Sequence, residues 1–264
     1  MRLGFIGCGN MANAMLGGII KNNIIASSDI ISSDLNQVSL EVAKDTLGIK
    51  VTKDNKEVVD QSDIIVLSVK PQFYSSVINE IKDLIKANQI IITIAPGQTL
   101  EGLKTAFGRE LKIVRTMPNT PALVGEGITA MCYNKNVTEK EADLVASILS
   151  GFGKVEVITE NLMDAVVGVS GSSPAYVFMF IEALADGAVA AGMPRNKAYT
   201  FAAQAVLGSA KMVLETGKHP GELKDMVCSP GGTTIEAVRV LEKEGFRSSV
   251  MEAVKACIDK AKSL

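Results

Sequence analysis

The chain has 264 residues, 47% of them hydrophobic, with 27 basic and 29 acidic side chains for a formal net charge of −2. That length predicts two domains, and mixed charge without a basic block excludes electrostatic recruitment to nucleic acid or an anionic membrane surface. One histidine and four scattered cysteines (Cys8, Cys132, Cys228, Cys257) have neither zinc-ligand nor disulfide-framework spacing, so no metal is expected and the thiols read as free in a cytoplasmic, reducing setting.

The first element is a buried strand, Leu3–Ile6, followed by G-x-G-x-x-A: Gly7, Gly9 and Ala12 around Cys8, Asn10 and Met11. Gly7 suits the tight turn, Gly9 lets a pyrophosphate approach the backbone, and Ala12 lets the next helix pack close. That helix starts near Asn10 and points its free N–H groups at the phosphates. Ile30–Ser33 reads as the second strand, with Asp34 about where a dinucleotide fold reads the ribose. An aspartate there accepts from the 2′-hydroxyl of NAD and repels the 2′-phosphate of NADP. Donation from Ser32 and Ser33 to that phosphate, or a helix cap ahead of Asn36, are the open alternatives.

A helix over 36–46, a strand over 49–51 and a short helix over 55–60 lead to the apolar run Asp63–Val69, which ends at Lys70-Pro71. A helix over 73–86, strand Gln89–Ile94 ending at Ala95, a helix over 99–106 and strand Lys112–Arg115 follow. Then comes the loop Thr116-Met117-Pro118-Asn119-Thr120-Pro121, which its prolines keep irregular. Strand Ile128–Tyr133, a helix over 139–150 and strand Lys154–Ile158 complete a doubly wound, mostly parallel α/β sheet over residues 1–160. In such sheets ligands meet the C-terminal ends of strands, so Lys70 is placed toward the coenzyme and the Met117–Pro121 loop at its nicotinamide end.

Residues 161–264 read as helices throughout: 161–169, 174–191, 195–216, 220–227, 233–244 and 246–262. The segment Ala175–Ile181 is apolar all round, which in a small helical domain predicts cover by a second copy, an obligate homodimer at least. The longest apolar stretch, Pro174–Met193, carries Glu182 and Asp186 near its middle, against a membrane span, and Leu3–Ile6 is too short for a secretory signal. Glu182 and Asp186 read as a polar stripe or partners for lysine.

Two loops open helices in this half, Ser170–Tyr176 and Ser229-Pro230-Gly231-Gly232-Thr233-Thr234. Glycines and hydroxyls at a helix N-terminus suit a carboxylate, although either loop alone also reads as plain capping. His219, beside Pro220, reads as a cap. The scarcity of acid–base groups is itself informative: a ketone needs a proton donor for its alkoxide, whereas an already protonated C=N bond needs only a hydride.

These residues closely resemble the pyrroline-5-carboxylate reductase family over essentially the whole chain. The resemblance rests on Phe5–Ala12, Val69-Lys70-Pro71, Met117–Pro121, Ser170–Tyr176 and, most specifically, Leu223–Ala237. It implies reduction of 1-pyrroline-5-carboxylate to L-proline by NADPH, with NADH as the alternative. Gly7, Gly9, Asn10, Met11, Ala12, Ser33, Asp34, Asn55, Val69, Lys70, Pro71, Ala95, Met117 and Asn119 then fall on the coenzyme side. Ser229, Gly231, Gly232 and Thr233 hold the substrate carboxylate, Thr234 meets the ring nitrogen, and Lys70 joins Thr234 as a catalytic candidate. The resemblance also implies dimers through C-terminal helices, assembled further into decamers.

Two positions depart from the family pattern: Ser173 stands at a usual glycine, and Asp34 where many NADPH-preferring members lack an acid. A non-catalytic dinucleotide-binding protein is the competing class, disfavoured because Lys70 and Thr234 are both present. A β-hydroxyacid dehydrogenase would carry a lysine after the glycine-rich loop of its helical domain, and here none precedes Lys197.

Overall fold

The computed structural model describes residues 1–262. The chain divides into two compact units: Met1–Ser172 together with the chain from Cys257 onward, and Ser173–Ala256.

The first unit is one eight-stranded sheet. Its strands are β1 (Leu3–Ile6), β2 (Ile30–Ser33), β3 (Lys50–Thr52), β4 (Ile64–Leu67), β5 (Ile90–Thr93), β6 (Lys112–Met117), β7 (Gly127–Tyr133) and β8 (Gly153–Val157), in the order β3-β2-β1-β4-β5-β6-β7-β8. β1 to β6 pair parallel, β7 runs antiparallel to β6, and β8 is parallel to β7. The helices are α1 (Asn10–Lys21), α2 (Gln37–Leu47), α3 (Asn55–Gln61), α4 (Tyr74–Ile81), α5 (Leu100–Phe107), α6 (Glu139–Leu149) and the single turn α7 (Met163–Val166).

The apolar strand runs are explained by burial on both faces. Leu3, Phe5, Ile64, Val66, Ile90 and Ile92 pack with α1, α2 and α6, through Met15, Leu16, Leu40 and Val145. The intervening Ile6, Ile65, Leu67 and Ile91 pack on the other side with α3, α4 and α5, through Val58, Ile78 and Leu103. Each strand alternates, but both sides of the alternation are apolar, so the sequence shows an unbroken run.

Two elements end earlier than the periodicity predicts. The helix expected over 73–86 stops at Ile81. Buried Gln89 takes over: it accepts from Lys86 N–H at 2.6 Å and donates to the Val59 and Ser62 carbonyls at 2.6 and 2.7 Å. Arg109 donates to the freed carbonyls of Lys82 and Ile85. The strand expected over 63–69 stops at Leu67, because Ser68 turns back to bond the loop after β1. Tyr74 anchors that end of β4: its hydroxyl donates to Leu67 C=O at 2.8 Å and lies 2.7 Å from Thr93 Oγ1, and burial pushes its pKa up to about 12.

The second unit contains α8 (Ser173–Ala190), α9 (Arg195–Thr216), α10 (Pro220–Val227), α11 (Thr233–Lys243) and the start of α12 (Phe246–Ala261). α8 and α9 meet through Ala185, Ala198 and Ala202, with Ile181, Val189 and Met193 at the margin. Large apolar side chains lie outside that contact: Phe178, Met179 and Phe201 are 64, 70 and 65% exposed. By length and composition the run Glu160–Ala190 is apolar enough to cross a membrane. Asp186, read as a partner for lysine, instead pairs with Arg195, which also lies over the Tyr199 ring.

Candidate functional site

Parallel register brings the predicted coenzyme residues into one row. Ile6 is level with Ser33 and with Leu67, Leu67 with Thr93, and Thr93 with Arg115. The chain therefore leaves β1, β2, β4, β5 and β6 along a single edge, delivering Gly7, Asp34, Val69–Pro71, Ala95 and Met117–Asn119 side by side. β1 lies between β2 and β4, where the strand order reverses, the position at which open α/β sheets bind ligands.

The loop after β1 is held from both neighbours. Gly7 N–H donates to Ser33 C=O at 2.8 Å, and Ser68 Oγ donates to Gly7 C=O at 2.6 Å. Gly7 has φ +103°, and a Cβ there would lie 2.8 Å from the Ser68 carbonyl, so the fold itself requires glycine. Gly9 differs: a Cβ would meet nothing within 4 Å. No side chain caps α1, whose first N–H groups are left free. Open space beside an uncapped helix N-terminus fits a pyrophosphate, so the residues present fit a dinucleotide.

Asp34 Oδ2 accepts from Cys8 N–H at 2.7 Å and Oδ1 from Asn36 N–H at 2.8 Å. The carboxylate thus orders the entry to α2, one of the alternatives the sequence left open, and also braces the glycine loop, while Asn36 itself caps that helix. Ser32 and Ser33 end β2 beside this loop. Both are fully buried, and the Ser33 hydroxyl donates to Asn55 Oδ1 at 2.7 Å. The Ser32 hydroxyl has no hydrogen-bond partner among the described residues, whereas Ser33 also holds Gly7 through its carbonyl, and Asn55 Nδ2 donates to Glu80 at 2.8 Å. Lys70 is exposed and has no ion-pair partner among the described residues.

Three residues that sequence reasoning passed over shape this edge. Asn13 Nδ2 donates to the Cys8 and Gly9 carbonyls at 3.0 and 3.2 Å, turning them away from the open side of the loop. Ser68 and Arg115 are the others; Arg115, buried, donates to Glu160 at 3.0 Å and faces Asp164 at 3.9 Å. The available signal was a polar residue interrupting an apolar run, as at Asn13 in α1 and Arg115 in β6.

In the second unit, Ser229 C=O accepts from Gly232 N–H at 3.0 Å. Pro230 and Gly231 (φ +67°) occupy the two central positions, the requirement of a type II turn. Gly232 becomes the N-cap of α11 with no side-chain cap, so the N–H groups of Thr233 and Thr234 start the helix unsatisfied. The Thr234 hydroxyl has no partner among the described residues. His219 is the cap the sequence suggests: Nδ1 accepts from Gly221 N–H at 3.0 Å.

Residues 160–264 match the family model described as pyrroline-5-carboxylate reductase dimerisation, and residues 2–97 match NADP oxidoreductase coenzyme F420-dependent. The chain is 52% identical over 263 residues to pyrroline-5-carboxylate reductase of Escherichia coli (strain K12), covering all of this chain and 98% of the relative. The chain belongs to the pyrroline-5-carboxylate reductases. A crystal structure of Plasmodium falciparum pyrroline carboxylate reductase with NADP bound superposes with TM-score 0.90 at 36% identity, covering 100% of this chain and 97% of that one. A 3-hydroxyisobutyrate dehydrogenase from Mycobacterium tuberculosis, at 12% identity, TM-score 0.53, and coverage of 70% of this chain and 64% of that one, shares the fold alone. The reductase is therefore an oxidoreductase of the α/β class, and its C-terminal half carries the family's dimerisation domain.

Proposed function

We infer that this chain reduces the C=N bond of 1-pyrroline-5-carboxylate to L-proline in proline biosynthesis, and that its own residues bind and align rather than donate a proton. When bound, the reduced nicotinamide supplies the hydride. Gly7–Ala12 cradles the pyrophosphate on the N-terminus of α1, Asp34 stands at the adenosine ribose, and Val69, Lys70, Pro71, Ala95 and Met117 border the coenzyme along the row of strand ends. Asn119 belongs to this border through the loop it shapes, and Asn55 through Ser33. Lys70 offers the coenzyme and substrate an uncommitted cation.

The observation that carries the substrate assignment is the uncapped start of α11 behind the Ser229–Gly232 turn. Backbone N–H groups of Gly231 and Thr233 suit a small carboxylate, Gly232 N–H being spent on closing the turn that presents them, and the Thr234 hydroxyl suits the ring nitrogen. A ring nitrogen protonated by solvent already carries the positive charge that draws the hydride to carbon, so no general acid is required. The purified protein, assayed with pyrroline-5-carboxylate and each reduced coenzyme, should form L-proline; coenzyme oxidation independent of that substrate would overturn the assignment.

Asp34 bears on the choice of coenzyme. Its charge repels a 2′-phosphate, so Asp34→Ser should raise the ratio of kcat/KM for NADPH over NADH by about tenfold. Loss of the brace on Cys8 affects both coenzymes alike and cancels in that ratio. An unchanged ratio would confine Asp34 to holding the loop.

The C-terminal helices form the dimer, and dimers assemble further into decamers in the cytoplasm, without a membrane. The exposed Phe178, Met179 and Phe201 support this reading, being the kind of surface a second copy covers.

A further inference from the structure

The Met117–Pro121 loop and the Ser170–Tyr176 segment are separate in sequence, yet one side chain joins them. After α7 the backbone widens into a π-turn over Val167–Gly171, with Ser172 N–H donating to Val167 C=O at 2.9 Å. In a continuing α-helix the Ser170 carbonyl would accept from the N–H of residue 174. Residue 174 is proline and has none. Asn119 Nδ2 donates to that carbonyl at 3.1 Å, while its Oδ1 accepts from Ile128 N–H at 2.9 Å. Asn119 is only 7% exposed, and both ends of its amide are engaged. The far side of the turn is held as well: Ser172 Oγ lies 3.0 Å from Cys257 Sγ.

We propose that Asn119 is a positioning residue, which replaces the N–H that Pro174 lacks and so holds the π-turn against the loop at the nicotinamide end of the site. Single π-turns inside helices are frequent at functional sites. Here the widened turn is stable because a side chain from β6's own exit loop satisfies the carbonyl it frees. The amide therefore acts through Ser170 and the loop backbone and makes no contact with the coenzyme. The kinetic consequence rests on the assigned reduction; the hydrogen-bond exchange does not.

A double-mutant cycle on the full-length protein tests this with Asn119→Ala and Pro174→Ala, reading kcat, KM for each substrate and the melting midpoint. Asn119→Ala alone should lower kcat by about tenfold or more, the scale of a small misplacement at a reacting centre, with the coenzyme KM within about threefold. It should lower the midpoint by several degrees, as expected when a buried acceptor loses its donor. In the Pro174→Ala background, where residue 174 brings an N–H to Ser170, both costs should fall to about a third or less. Equal costs in the two backgrounds would overturn the proposal. So would a tenfold rise in coenzyme KM at unchanged kcat, which would make Asn119 a direct ligand. Should Asn119→Ala fail to fold, Asn119→Ser replaces it, withdrawing the amide donor from Ser170 without burying a charge. If the wild-type protein does not reduce pyrroline-5-carboxylate, the assigned function fails, and the cycle in melting midpoint alone still decides the role of Asn119.

Discussion

Gly9→Val is expected to weaken NADPH binding by about a hundredfold or more while leaving the melting midpoint within a few degrees of wild type. Both halves of that expectation come from the space around the residue. A Cβ at Gly9 meets no protein atom within 4 Å, and its φ of −78° is open to any residue, so the fold has no objection to a side chain. The branched carbons then stand over the first free N–H groups of α1, in the path of the pyrophosphate. Gly7 supplies the contrast. Its φ of +103° and the 2.8 Å approach to Ser68 mean that a side chain there damages the loop itself. Titration calorimetry beside thermal unfolding separates the two cases. Undiminished NADPH binding by folded Gly9→Val would remove the phosphates from this loop.

Thr234→Ala should lower kcat by about ten- to a thousandfold, the range for losing one orienting hydrogen bond together with alignment of the reacting atoms. The hydroxyl sits in the first turn of α11 with no partner among the described residues, so its removal breaks no hydrogen bond of the fold. A hydroxyl does not titrate in the working range, so the pH profile should keep its shape. His219→Asn should change kcat little, because the Nδ1 bond to Gly221 makes that histidine a cap, and asparagine caps as well. A near-normal rate for Thr234→Ala, or an inactive but folded His219→Asn, would mean that the reaction draws on a proton donor elsewhere.

The row of strand ends was legible because two local signals agree: apolar runs of strand length, and glycines or prolines directly after them. Leu3–Ile6 before Gly7 and the Ile64–Leu67 run before Lys70-Pro71 needed nothing else. One helix cap was legible too, since His219 precedes a proline. What stayed hidden depends on partners far away in the chain. The early end of α4 is set by Gln89 and Arg109, and the burial of Ser32 and Ser33 by a sheet neighbour on each side. The π-turn over Val167–Gly171 overlaps the stretch where periodicity predicts an ordinary helix over 161–169, and its Ser170 carbonyl meets Asn119, some fifty positions earlier in the chain. The second unit was legible as helices, but its interior was not, because small residues mark close packing only once the facing helix is known.

That interior has a thermodynamic consequence. Ala185, Ala198 and Ala202 contribute little buried area each, while Phe178, Met179 and Phe201 remain in water in a lone subunit. Cover of those side chains by a second copy adds burial that this half lacks alone, so mass action enters its stability. The melting midpoint is therefore expected to fall on dilution, and thermal unfolding over a concentration series reads that fall.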